Sequence, residues 1–267
     1  AAPPMGPAFV ARRMAAELGA DWQARFRSFE RTPAAAASLG QVHRATGPDG
    51  RALACKLQYP EMQSAVEADL GQLGIILAVQ RRMSPEIDTS EIAKELADRL
   101  REELDYAREA CHVALYRKAL AAEPLVRVPE VVKDLSTRRL LTMTWLDGRP
   151  LLSFTGHGLD DRNRIATALF RAWWHPFAAY GVIHGDPHLG NYTVFGEAGD
   201  AEAGGGRPEG VNLLDFGCIR VFPPAFVGGV VDLYHGLRED DRARVVHAYE
   251  AWGFRNLDNE TIDILNI

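Results

Sequence analysis

His184-Gly185-Asp186-Pro187-His188-Leu189-Gly190-Asn191 packs two histidines, two glycines, a proline, an acid and a carboxamide into one short run. Proline removes a backbone donor and glycine widens the accessible backbone, so the run reads as an ordered loop rather than a helix or strand. Asp186 and Asn191 stand five positions apart in it. A carboxylate held there can accept or orient the proton of an attacking hydroxyl, while a carboxamide oxygen can coordinate a cation. The plain structural alternative is a turn closed by Asx-type hydrogen bonds. What surrounds the loop decides between them.

Downstream, the strand-like pieces Tyr192–Phe195 and Val211–Leu214 suggest a hairpin that delivers Asp215-Phe216-Gly217. A carboxylate at a strand end can hold Mg²⁺ between two phosphates, and the glycine allows a sharp turn. Upstream, Lys56 lies in the run Ala52–Gln58, flanked by apolar residues. From a strand it can extend an ammonium into a cleft and meet phosphate oxygens, although such a lysine can equally snorkel to the surface. Between them, the run RLREELDYAREA offers Glu102, Glu103 and Glu109 as carboxylates that could fix the lysine. Taken singly, each is as readily a solvated glutamate. A strand lysine, a helix glutamate, D-x-x-x-x-N and D-F-G nevertheless occur in the order of a protein kinase.

Elsewhere, residues 8–28 have helical spacing, and Gln41–Ala45 with Ala52–Gln58 flank a Gly-Pro-Asp-Gly turn, predicting a hairpin. Residues 59–122 read as helical with a break at Ser84-Pro85, where Pro85 lacks an N–H. Residues 130–134 and 138–144 read as a strand pair, 161–180 as a helix, and the Gly-rich 196–210 as a flexible surface loop. The pattern predicts an α+β, two-lobed protein-kinase-like fold. The first lobe (1–146) carries the N-terminal helix, a small β-sheet and a helical insertion. The second (147–267) is mainly helical and carries the catalytic loop, with a cleft near Trp145–Pro150.

Where a typical kinase has G-x-G-x-x-G, this chain has Ala34-Ala35-Ala36-Ala37-Ser38-Leu39-Gly40-Gln41-Val42. That run, with Lys56-Leu57-Gln58-Tyr59-Pro60, Glu103-Leu104-Asp105-Tyr106, Arg108-Glu109-Ala110 and His184-Gly185-Asp186-Pro187-His188, resembles the UbiB/ADCK family of atypical kinases tied to ubiquinone biosynthesis. The resemblance spans residues 30 to 225. It implies that Ala35, Ala36, Ala37 and Ser38 cover the phosphates of ATP, that Lys56 meets the α- and β-phosphates, and that Glu109 is its ion-pair partner. It implies Glu103 on the cofactor side, facing the family's N-terminal extension, Asp186 as catalytic-loop acid, and Asn191 with Asp215 as ligands of Mg²⁺ or Mn²⁺. An alanine loop is stiffer than a glycine loop and crowds the phosphates with methyl groups, which should slow protein phosphorylation. Leu189 stands where the family has a second proline, no A-P-E follows Asp215, and the family's K-x-G-Q segment does not precede the first helix. The chain reads as a piece of a longer protein.

The 267 residues carry a formal charge of −6, with 47% hydrophobic and 25% charged residues. No basic stripe is present, which argues against nucleic acid as a partner. Three separated cysteines form no C-x-x-C pair, which fits a reducing cytoplasm. No stretch approaches the ~18 apolar residues of a membrane helix, and Ala-Ala-Pro-Pro-Met5 does not read as a signal peptide. The expected partners are ATP or ADP, with membrane lipid or quinone-pathway proteins, at a cytoplasmic position beside the inner membrane. Two alternatives stand: a small-molecule phosphotransferase of the aminoglycoside or choline kinase type, and a nucleotide-binding pseudokinase scaffold. His157, His175, His235 and His247 lack metal-ligand spacing. Trp173-Trp174 with Phe177 reads as core, and Cys218 as a buried small hydrophobe.

Overall fold

The computed structural model describes residues 4–37, 39–83, 90–196 and 206–266. The chain begins with helix α1 (Pro7–Leu18), a 3-10 turn at Trp22–Arg25, and strands β1 (Ser28–Phe29), β2 (Ala35–Ala37), β3 (Gly40–Thr46) and β4 (Ala52–Gln58). Helices α2 (Met62–Met83), α3 (Ser90–Glu103) and α4 (Tyr106–Ala119) follow, then β5 (Val126–Arg127), β6 (Leu140–Thr144) and β7 (Arg149–Pro150). The remainder runs α5 (Leu159–Tyr180), β8 (Val182–His184), β9 (Tyr192–Gly196), β10 (Pro208–Leu213), β11 (Ile219–Val221), α6 (Pro224–Glu239), α7 (Arg242–Ala251) and α8 (Asn259–Leu265).

The first sheet has the order β1-β3-β4-β6, with β2 paired to β3. Strand β4 shows how sequence sets its two faces. Leu53, Cys55 and Leu57 join the apolar cluster that α1 covers with Val10, Met14 and Leu18. The alternate residues Ala54 and Lys56 face the opposite way, into a cleft. Strand geometry sends successive side chains to opposite faces, so a lysine in an apolar strand can be buried without entering the apolar layer.

A second sheet has the order β5-β10-β9-β7, and β8 pairs with β11. These pieces frame the loop 185–191 and the turn 215–217. A central cluster joins the two lobes: Tyr106, Val113 and Tyr116 of α4 pack with Leu141 and Met143 of β6 and with Ile165, Val211, Leu213 and Phe216. The α+β two-lobed arrangement is therefore as expected, a β-sheet region with a helical insertion followed by a mainly helical region.

The local reading needs three corrections. The first helix ends at Leu18 because Gly19 takes φ +93°, and only a 3-10 turn follows. The helical stretch has a further break at Leu104-Asp105, where the Asp105 side chain accepts from the N–H groups of Ala107 and Arg108 and caps α4. The expected strand 130–134 is a single bridge, Val131 to Met143, followed by a 3-10 turn at Lys133–Leu135. There Ser136 Oγ donates to Val132 O and accepts from Thr142 N–H, while Thr142 Oγ1 donates to Leu135 O. Backbone pairing is confined to Val132 N–H with Thr142 O and Thr144 N–H with Glu130 O, and beyond it these side-chain bonds take up Val132 O, Thr142 N–H and Leu135 O. The expected break at Ser84-Pro85 and most of the expected loop 196–210 lie outside the described residues.

Candidate active site

A cleft of about 950 Å³ opens where the first sheet faces the second, lined by Ala34–Ala37 on one side and by Asp186, Asn191 and Asp215 on the other. Its wall at 145–150 is the segment expected to join the lobes. A volume near this suits a nucleotide-sized molecule. Val42, Ala54, Met143 and Leu214 contribute apolar lining, and Lys56, Glu103, Glu109, Asp186 and Asp215 contribute charged lining.

Lys56 is 5% exposed and lies between the Glu109 and Asp215 carboxylates. Its Nζ donates to Glu109 Oε1 at 2.8 Å and Oε2 at 2.9 Å, and to Asp215 Oδ2 at 2.9 Å. The ammonium also sits over the Tyr106 ring, 5.1 Å from its centroid. Burial works to lower the Lys56 pKa, but the carboxylates of Glu109 and Asp215 override it and the net direction is up. Asp215 is held below its ordinary range: burial opposes this, and Lys56 with the Gly217 N–H outweighs it. The cluster has two carboxylates to one ammonium, and the deeper one, Glu109, has its pKa pushed up by burial against the pull of Lys56.

Helix α4 delivers Glu109 because Tyr106, Glu109, Val113 and Tyr116 recur at helical spacing and form its buried face. Glu102 is committed elsewhere, bonding Arg99 at 2.7 Å and Arg108 at 2.7 Å. Glu103 is exposed at the cleft rim, and its pKa is raised by partial burial and by the nearby negative charges of Asp215 and Asp186.

The loop is organised from within. Asn191 Nδ2 donates to Asp186 Oδ2 at 2.8 Å, and the His188 N–H donates to Asp186 Oδ1 at 3.2 Å. Because the amide nitrogen is used on Asp186, the Asn191 Oδ1 is the atom left to face a cation. His184 joins loop and turn: its Nε2–H donates to Asp215 O at 2.7 Å, while its Nδ1 accepts from Asp186 N–H at 3.3 Å. The Leu214 N–H donates to Asn191 O at 3.0 Å, so the two cation-side residues flank the paired ends of β9 and β10, where Leu213 stands opposite Tyr192.

One carboxylate and one carboxamide oxygen, with no sulfur or imidazole, suit a hard cation that takes its remaining ligands from phosphate and water. Among the described residues no cluster of three or more His, Cys, Asp or Glu could hold a metal by itself.

The structure therefore brings together Lys56, Glu109, Asp186, Asn191 and Asp215, with Ala35–Ala37 forming strand β2 over the same cleft and Glu103 at its rim. Ser38 lies outside the described residues. Cys218 departs from its expectation: it is half-buried and lines the cleft. Sequence reading missed His184 as the link between loop and turn, and His112, whose Nδ1–H donates to Phe216 O at 3.0 Å. The position of His112, one turn beyond Glu109 on the same helical face, is the signal that was available.

Several known proteins are similar to this chain in sequence or fold. The rat atypical kinase COQ8B, mitochondrial, is 34% identical over 86% of this chain and 42% of its own length. The yeast atypical kinase COQ8, mitochondrial, is 29% identical over 80% of this chain and 41% of its own length. The chain thus spans about two fifths of these curated relatives. Among solved structures, Rv3197 of Mycobacterium tuberculosis, determined in complex with erythromycin, aligns with a TM-score of 0.80 and 30% identity over 98% of this chain and 65% of that one. No helix among the described residues is long and apolar enough to cross a membrane. Over residues 1–249 the sequence matches the ABC1 atypical kinase-like domain, and the chain belongs to that family.

Proposed function

We propose that this chain is the ATP-binding domain of an atypical kinase or ATPase that depends on a divalent cation and serves ubiquinone biosynthesis. The observation that carries the reading is Lys56 held at 2.8–2.9 Å by Glu109 on α4 and by Asp215 on the far wall of the cleft. A buried ammonium shared between two carboxylates is a costly arrangement that a purely structural contact does not require. In a phosphoryl-transfer site it is the arrangement that places a cation beside phosphate oxygens.

In this reading Lys56 meets the α- and β-phosphates and Glu109 holds its ammonium in place. Ala35, Ala36 and Ala37 lie over the phosphates, and Glu103 borders the cofactor at the rim. Asp186 accepts or orients the proton of the attacking hydroxyl or water, and its own orientation is held by Asn191 and the His188 N–H. Asn191 and Asp215 would hold Mg²⁺, which supplies neutralisation of the phosphate charge when bound. The lobe boundary falls at 146/147. The reaction partners in this reading are ATP or ADP and a lipid or quinone-pathway component, at the cytoplasmic side of the inner membrane.

Thermal melting with ATP and ADP, with and without Mg²⁺, tests this for the native chain and for Asp215→Asn. A ligand bound only by the folded state raises the melting temperature by mass action. Stabilisation that requires Mg²⁺ and is weakened in Asp215→Asn is the expected result. No shift with either nucleotide would leave a scaffold without a nucleotide site.

A further inference from the structure

We propose that His112 is a positioning residue for Asp215, acting through the single peptide group between Phe216 and Gly217. The inference rests on the nucleotide-site reading above and assigns a role to a residue outside the four motifs.

The geometry runs through one peptide plane. Its carbonyl, Phe216 O, accepts from His112 Nδ1–H at 3.0 Å. Its N–H, that of Gly217, donates to Asp215 Oδ1 at 2.9 Å. A peptide unit is planar, so holding the carbonyl fixes where the N–H points. The residue on its far side is glycine, which offers little resistance to rotation of that plane. Without a donor on the carbonyl, the plane could turn and withdraw the N–H from the carboxylate. Asp215 would then lose one of the two groups, Lys56 and the Gly217 N–H, that orient its oxygens.

Helix α4 grips the same residue twice more. The Phe216 N–H donates to Glu109 Oε1 at 3.3 Å, and its ring is fully buried against Tyr116 at 5.7 Å between centroids. Glu109 and His112 are three apart on one helix, hence neighbours on its surface. Glu109 therefore takes the donor of Phe216 and His112 its acceptor. The ring and the N–H anchor Phe216 itself, whereas only the His112 bond acts on the peptide plane that faces Asp215. His112 thus couples the position of α4 to the orientation of the cation-side carboxylate.

The test compares His112→Leu, which removes the donor at similar bulk, with His112→Asn, whose Nδ2 can stand in for Nδ1. Magnesium is titrated into each chain in the presence of ADP, and melting temperature is followed, with metal-free ADP and ligand-free melting as controls. Loss of one hydrogen bond at the turn is expected to raise the Mg²⁺ midpoint about five- to tenfold in His112→Leu. His112→Asn should stay near the native midpoint, and the metal-free ADP shift should be unchanged in both. A native midpoint in His112→Leu overturns the proposal, as does an equal loss in Asn and Leu, which would assign the effect to packing. Equal weakening of the metal-free and metal-dependent shifts would likewise reduce His112 to general support. If His112→Leu does not fold, His112→Ala takes its place with the same outcomes. Failure of the native chain to respond to Mg²⁺ and ADP at all is a different result, and it sinks the nucleotide site itself.

Discussion

Deep in the cleft, the charged pair Lys56 and Glu109 is buried; along α2 and α3, apolar groups face solvent. Lys56 and Glu109 are 5% and 3% exposed and share two hydrogen bonds. On α2, Ile75, Ile76 and Met83 are 68%, 63% and 79% exposed, and on α3 Ile92 is 67% exposed, with no buried residue anywhere in α3. Lys56, Glu109 and the two helices belong to the same half of the chain, and the contrast separates two contributions. The hairpin of helices adds little burial to the fold, so the hydrophobic stabilisation rests on the clusters around α1, β4, α4 and α5. The cleft contributes geometry: a buried ion pair is weak support for stability, yet removing one partner strands the other.

The largest expected effect therefore falls on a residue that adds no apolar burial. Glu109→Leu leaves the buried Lys56 with Asp215 alone and removes the acceptor of the Phe216 N–H. A stability loss of about 3–5 kcal/mol in chemical denaturation is expected. A loss under about 1 kcal/mol would mean that water or a shifted Asp215 replaces the carboxylate readily, and the contrast between cleft and hairpin would fade.

A smaller loss is expected from Gly40→Ala, at the foot of the alanine-rich strand β2. A Cβ there would run into the Leu57 carbonyl oxygen and reach 2.9 Å from the Tyr106 hydroxyl, which is buried without a hydrogen-bond partner among the described residues. The backbone of β3 and β4 is paired at this point, Gly40 opposite Gln58, so neither side can give way cheaply. Overpacking of this kind costs about 1–3 kcal/mol. Equilibrium unfolding of the variant checks it, and an unchanged midpoint would show that the strands under the alanine loop are looser than their register implies.

How much of this was legible follows the range of the interaction. Asp186 and Asn191 declare themselves by spacing within one loop, and Asp215 by its place at a strand end. Lys56 is less plain, since its burial depends on the alternation of β4 against α1. The choice of Glu109 over Glu102 and Glu103 came from family resemblance. Its physical basis is the shared face with Tyr106, Val113 and Tyr116, while Glu102 is held by Arg99 and Arg108. The failed strand at 130–134 turned on the hydroxyls of Ser136 and Thr142, which hydropathy patterns do not register. For His112 the sequence offered only its place one turn beyond Glu109, because its partner lies 104 positions away and the contact exists only once α4 is docked.

The smallest expected effect tests the other side of the comparison. Ile76→Gln replaces an exposed isoleucine in the middle of α2. Glutamine is at least as good a helix former, and little buried apolar surface is lost. Stability should change by no more than about 0.5 kcal/mol, in line with ordinary surface substitutions. Denaturation midpoints and sedimentation of the native and variant chains at several concentrations check it together. An unchanged midpoint with unchanged sedimentation leaves the helical insertion energetically separate from the cleft. A destabilisation above about 1.5 kcal/mol that depends on protein concentration would show the stripe covered in solution by another copy. The exposure seen along α2 would then belong to the isolated chain alone, and the hairpin would join the cleft among the regions that sustain the fold.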